Sequence, residues 1–132
     1  MIDDYHNGYI EKTSEGFRGT LKIEGIFLGT IIGGFYKDAK GIPYLWLKRE
    51  SVLEYREDTK SCIRREARPF FECYAFKSNQ PNIAYEGKFI FLHFTFSLVC
   101  FWDSVVKDRL NINIVRDNKQ PLIAAINRNN NG

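Results

Sequence analysis

Residues 89–102 read FIFLHFTFSLVCFW, fourteen residues without a charge. Taken at every second position, Ile90, Leu92, Phe94, Phe96, Leu98, Cys100 and Trp102 share one face, which is apolar throughout. The other face holds Phe89, Phe91, His93, Thr95, Ser97, Val99 and Phe101, a mixed set. Side chains alternate across a strand, so the pattern predicts one long strand, buried on one side and half-covered on the other. The run is short for a membrane helix, and its aromatic and β-branched alternation suits a strand. No membrane partner is therefore expected.

Working outward, residues 17–24 alternate cleanly, with Phe17, Gly19, Leu21 and Ile23 facing one way. Residues 26–36, IFLGTIIGGFY, are apolar but cut by Gly29, Gly33 and Gly34. Glycines inside a strand predict a bulge or a bend, as at a barrel corner. Shorter strands are expected at 8–12, 42–48 and 52–56, the second with Pro43 at its start. Residues 57–60 read as a hairpin turn, and 62–77 as a long returning strand with Pro69 at an edge or bulge. Beyond the central stretch, 110–116 alternates as a strand, and 122–127 follows Pro121 as a short helix. About eight short strands without βαβ alternation predict an all-β, mainly antiparallel fold. The expected form is a small β-sandwich or partly open barrel with a short C-terminal helix. The chain of 132 residues reads as a single domain, 1–132, with flexible ends at 1–7 and 128–132.

Eleven Phe, seven Tyr and two Trp supply enough apolar bulk for a core that needs neither disulfide nor metal. The cysteines, Cys62, Cys73 and Cys100, are odd in number and lack CxxC spacing. A reducing, cytoplasmic setting fits them better than a disulfide framework. The net charge of +3, from nineteen Lys and Arg against sixteen Asp and Glu, does not by itself make a nucleic-acid surface.

Catalytic motifs are missing. The glycine run 29–37, GTIIGGFYK, has no GK[ST] and no following helix, so it does not cradle phosphate. There is no HExxH, paired CxxC or EF-hand pattern, and Asp3, Asp4 and His6 read as an acidic terminus. Cys100 and His93 fall on opposite faces of the predicted strand and cannot form a nucleophile–base pair. No catalytic residue, metal or cofactor is assigned, and the chain is expected not to be an enzyme.

The segment 44–77, YLWLKRESVLEYREDTKSCIRREARPFFECYAFK, is where a partner is expected. Its candidate contact residues are Trp46, Lys48, Arg49, Tyr55, Arg56, Arg64, Arg65, Arg68, Phe70 and Tyr74. Rings and cations on a sheet hold single-stranded nucleic acid, and the same residues anchor protein interfaces. Glu50, Glu54, Glu57, Asp58 and Glu66 nearly neutralise the cations. Such mixed signs fit a solvated or charge-complementary protein face better than a phosphate groove. Parity groups Arg64 and Arg68 with Glu66, and Arg65 with Ile63 and Ala67. The expected function is a non-catalytic module that docks on a protein or ribonucleoprotein. By analogy of size it would be an inhibitor of a host nucleic-acid-processing enzyme, carried by a phage or mobile element. The alternatives are direct binding of single-stranded RNA or DNA, and a barrel holding a small apolar ligand.

Overall fold

A computed structural model of the chain describes residues 7–117. Among them are ten strands: β1 (Gly8–Thr13), β2 (Gly16–Ile23), β3 (Ile26–Lys37), β4 (Pro43–Arg49), β5 (Val52–Arg56), β6 (Ser61–Arg65), β7 (Glu72–Lys77), β8 (Tyr85–Phe91), β9 (Phe94–Trp102) and β10 (Arg109–Arg116). Eight of them close into a barrel in the order β1-β10-β9-β8-β7-β4-β3-β2, with every neighbouring pair antiparallel. The remaining two, β5 and β6, pair only with each other and form a separate arm. The fold is thus all-β and antiparallel as expected, and the sheet is fully closed. The helix expected at 122–127 lies outside the described residues.

The stretch 89–102 is not one strand. β8 ends at Phe91 and β9 begins at Phe94, while Leu92 and His93 have φ of 49° and 73°. Positive φ at both central positions is the signature of a two-residue type I′ hairpin turn. Across it Phe91 faces Phe94 and Phe89 faces Phe96. Directly opposed residues share a face, so this turn inverts the parity of the strand pattern. Phe89 and Phe91 are buried from β8, and Phe96, Leu98 and Cys100 from β9, whereas Ile90 is 74% exposed. His93 sits at the exposed turn.

The expected strand 62–77 is also broken. β6 stops at Arg65, and residues 66–71 cross to β7 through a cis Arg68–Pro69 peptide. The bulge expected in 26–36 is present. Thr20 pairs with Thr30 but Lys22 pairs with Phe27, so β3 holds an extra residue where Gly29 has φ +70°.

Inward side chains from all eight barrel strands merge into one apolar cluster. Near the arm it is aromatic: Phe71 meets Phe89 edge-on at 5.3 Å, and Phe89 stacks on Phe96 at 5.5 Å. At the opposite end Phe35 contacts Phe17, Tyr85 and Trp102. Ile10, Leu21, Ile31, Leu45, Leu47, Leu98, Leu110 and Ile112 fill the middle and are all fully buried. Each such side chain contributes on the order of 1.5–3 kcal/mol. An eight-stranded barrel is just narrow enough for side chains to fill it in this way. On β10 the core residues Leu110, Ile112 and Ile114 alternate with Asn111 and Asn113, so the barrel is apolar within, the reverse of a membrane-spanning barrel. Among the described residues no helix is long and apolar enough to cross a membrane.

Candidate docking surface on the arm and barrel wall

The arm grows from the barrel between β4 and β7, which pair with each other from Tyr44↔Phe76 to Lys48↔Glu72. Its root is fixed by main-chain bonds. Arg49 N–H donates to the Phe71 carbonyl at 3.0 Å and Glu50 N–H to the Thr30 carbonyl at 2.9 Å. The Arg49 side chain completes the joint, its Nε donating to the Leu28 carbonyl at 2.7 Å and its Nη1 to the Pro69 carbonyl at 3.0 Å. Arg49 is therefore a clamp between β3 and the return segment, with much of its hydrogen-bonding capacity spent. Arg18 pairs with Glu50 on the same side.

Beyond the root, β5 and β6 pair from Val52↔Arg65 to Arg56↔Ser61. Register divides the arm into two unlike faces. One carries Val52, Glu54, Arg56, Ser61, Ile63 and Arg65. Its cations are matched, with Arg65 2.9 Å from Glu54 and Arg56 3.2 Å from Asp58 in the turn. The other carries Leu53, Tyr55, Cys62 and Arg64 and no acid. Among the described residues Arg64 there donates only to the Ser51 hydroxyl, at 3.2 Å. Every residue of the two strands except Glu54 is exposed, including Val52, Leu53, Tyr55 and Ile63.

Trp46 and Tyr74 are register partners on the outer barrel wall. Trp46 Nε1 donates to Glu72 at 2.6 Å. Tyr44 joins Tyr36, Tyr74 and Phe76 at ring separations of 5.7, 5.9 and 5.8 Å, giving an aromatic row over β3, β4 and β7. Tyr36 lies back over Gly34, where an added Cβ would come within 2.6 Å of its ring. Sequence reasoning missed Tyr36, because its place in the row depends on pairing between β3 and β4. Lys48 is held on this wall by Glu66 at 3.0 Å.

The ten expected contact residues thus occupy five places. Trp46, Lys48 and Tyr74 are on the wall, and Arg49 is the clamp. Tyr55 and Arg64 share one arm face, with Arg56 and Arg65 on the other. Arg68 and Phe70 lie exposed in the return segment. The expected grouping of Arg64 with Arg68 and Glu66 fails because β6 ends at Arg65, so parity does not carry across. Arg68 has no ion pair among the described residues.

The buried thiols carry no reactive site. Burial, with the Glu72 charge, pushes Cys73 up to about 12, and burial likewise raises Cys100. The barrel mouth near the β8–β9 turn holds a cavity of about 110 Å³ lined by Ile23, Ile26, Phe91, Leu92 and Phe94. Arg116 covers the Phe94 ring at 3.9 Å and pairs with Glu24. That cavity is smaller than the roughly 300–1,000 Å³ of ordinary small-molecule sites. Comparison of the chain with family models, with curated proteins and with solved structures finds no match in any of the three.

Proposed function

We propose that the protein is a non-catalytic binding module and that the arm docks it on a partner protein. One observation carries this reading: a two-stranded hairpin stands off the barrel with Leu53, Tyr55 and Ile63 exposed. A hairpin of two strands is at best marginally stable in water, and packing on a further surface stabilises it. The face with Leu53, Tyr55, Cys62 and Arg64 has the composition of an interface centre, with apolar and aromatic anchors beside one arginine.

A protein partner fits better than nucleic acid. Arg56, Arg65 and Lys48 are already matched to carboxylates, whereas a phosphate-tracking groove presents several unmatched cations in line. The test is capture from a lysate of the cells that make the protein, with wild type and a Leu53→Ser, Tyr55→Ser variant, with and without nuclease. The expected result is a retained protein that survives nuclease and disappears with the variant. Equal retention by the variant, or loss on nuclease treatment, would overturn the reading.

A further inference from the structure

We propose that the arm receives its partner as an added strand along the outer edge of β6, and that this strand is an extended acidic segment of a protein. The inference rests on the reading of the arm as the docking element, and it specifies the partner.

β6 is hydrogen-bonded on one side to β5 and has no strand on its other side among the described residues. In an antiparallel strand alternate N–H and C=O groups point to each side, so the outer edge presents a ready pairing template. A third strand would satisfy those groups and bring the arm to the three-stranded size at which small sheets hold together. Strand addition is an established mode of peptide capture, with affinity from the main chain and selectivity from alternate side chains.

Charge chooses between the two edges and between partners. β5 has Glu54 at its centre. β6, Ser61–Arg65, has two consecutive cations and no acid. Arg64 and Arg65 are neighbours, so they point to opposite faces, and a strand beside β6 places one residue opposite each. Two consecutive acids at those positions would pair with both cations, and apolar residues would then lie opposite Ile63 and Cys62. Arg64 is available, since among the described residues only the Ser51 hydroxyl engages it. Arg65 is itself exposed and can exchange its Glu54 partner at little cost.

A second copy of the chain satisfies this edge poorly. In a two-fold pairing of β6 with itself about Ile63, Arg64 would face Cys62 and Arg65 would face Ser61. Four cations would be brought together with no acid on either copy of β6. Cationic edges suppress self-pairing in this way, and an acidic strand turns the same charges into attraction.

The test uses the full chain, labelled with ¹⁵N, titrated with a synthetic octapeptide of sequence TSEEVVST at low salt. Shift changes and slowed amide exchange should concentrate in β6. A TSKKVVST peptide should bind more weakly by about tenfold, the scale of two lost cross-strand charge pairs. Backbone N-methylation of TSEEVVST should abolish binding, and an Arg64→Glu, Arg65→Glu chain should reverse the preference towards the lysine peptide. Absence of TSEEVVST binding at millimolar concentration, equal binding of its N-methylated form, protection on β5 instead of β6, or displacement by a thymidine decanucleotide would each overturn the proposal. If the peptide fails while capture still depends on Leu53 and Tyr55, the arm docks by its face and only the strand-addition inference falls. If capture is independent of those residues, the docking reading itself falls.

Discussion

Leu98 on β9 and Leu53 on β5 are the same residue in the same kind of backbone, yet one is 1% exposed and the other 65%. The barrel gives each of its strands two hydrogen-bonded neighbours and an inward face shared with the strands across the lumen. Among the described residues the arm gives each of its strands one neighbour and no opposing layer. Strand propensity and pairing are therefore not what buries a side chain; a second layer is. The arm is held by cross-strand contacts such as Glu54 with Arg65, and by the Arg49 clamp at its root. Its apolar residues add little to the fold and remain available for contact. The contrast leads to a sharp expectation: substitutions in the barrel change stability, and substitutions in the arm change binding.

The largest effect is expected at Phe96, which is buried and lies among Phe89, Phe91 and Leu98. Phe96→Ala should cost about 3–5 kcal/mol in urea unfolding, the range for emptying an aromatic site. A loss below about 1 kcal/mol would mean that the ring cluster closes over the void or was never packed. Phe94 is only partly buried, at the mouth, and its truncation should cost less. Next comes Gly29, whose φ of +70° lets β3 carry its extra residue. Gly29→Ala has open space for its Cβ, so strain alone is tested, and about 1–3 kcal/mol is expected. An unchanged denaturation midpoint would show that the bulge can move along β3.

Local chemistry made much of the barrel legible in the sequence. The period-two pattern of 17–24, the glycines of 26–36 and, on the arm, the turn at 57–60 follow from rules acting over a few residues. The turn at Leu92–His93 was hidden because it lacks the Asn-Gly or Asp-Gly pair that usually supplies two positive φ angles. Apolar residues on both sides of it made two strands read as one, with the parity wrong on β8. Closure was hidden for another reason: β1 meets β10 through pairs such as Gly8↔Ile112, which no local pattern encodes. The candidate site was legible in composition and illegible in arrangement. Arg49 looked like a ligand-binding cation because its acceptors, the carbonyls of Leu28 and Pro69, are 21 and 20 residues away. The aromatic row needed Tyr36, Tyr44 and Phe76 to be brought together from three strands.

A smaller effect on the barrel side appears only in acid. The Asp103 carboxylate accepts from Asn111 Nδ2 at 2.9 Å and from the Val106 and Val105 N–H groups at 2.6 and 2.9 Å. These bonds lower its pKa from 3.8 to about 2. The folded-state value lies below the unfolded one, so the carboxylate's contribution is present above pH 3.8 and is lost as pH falls towards about 2. The thermal midpoint should decline through that window, and an Asp103→Asn variant should show a flatter profile over it. Parallel profiles would mean that the 103–108 loop opens without affecting the barrel.

The smallest stability effect belongs to the arm, and it separates the two regions most cleanly. Leu53→Ala removes apolar bulk, as Phe96→Ala does, but from a side chain that already meets water on most of its surface. With no surrounding layer there is no cavity to leave behind, and the unfolding free energy should change by no more than about 0.5 kcal/mol. The same substitution should weaken docking, because an anchor that is exposed in the isolated chain is buried only in the complex. Urea unfolding and partner capture on one preparation read both quantities. A loss of stability above about 1 kcal/mol would place Leu53 in a packed environment and make the arm an extension of the barrel core. Unchanged stability with unchanged capture would make the arm a solvated appendage and return the aromatic row of Tyr36, Tyr44, Tyr74 and Phe76 as the surface to test.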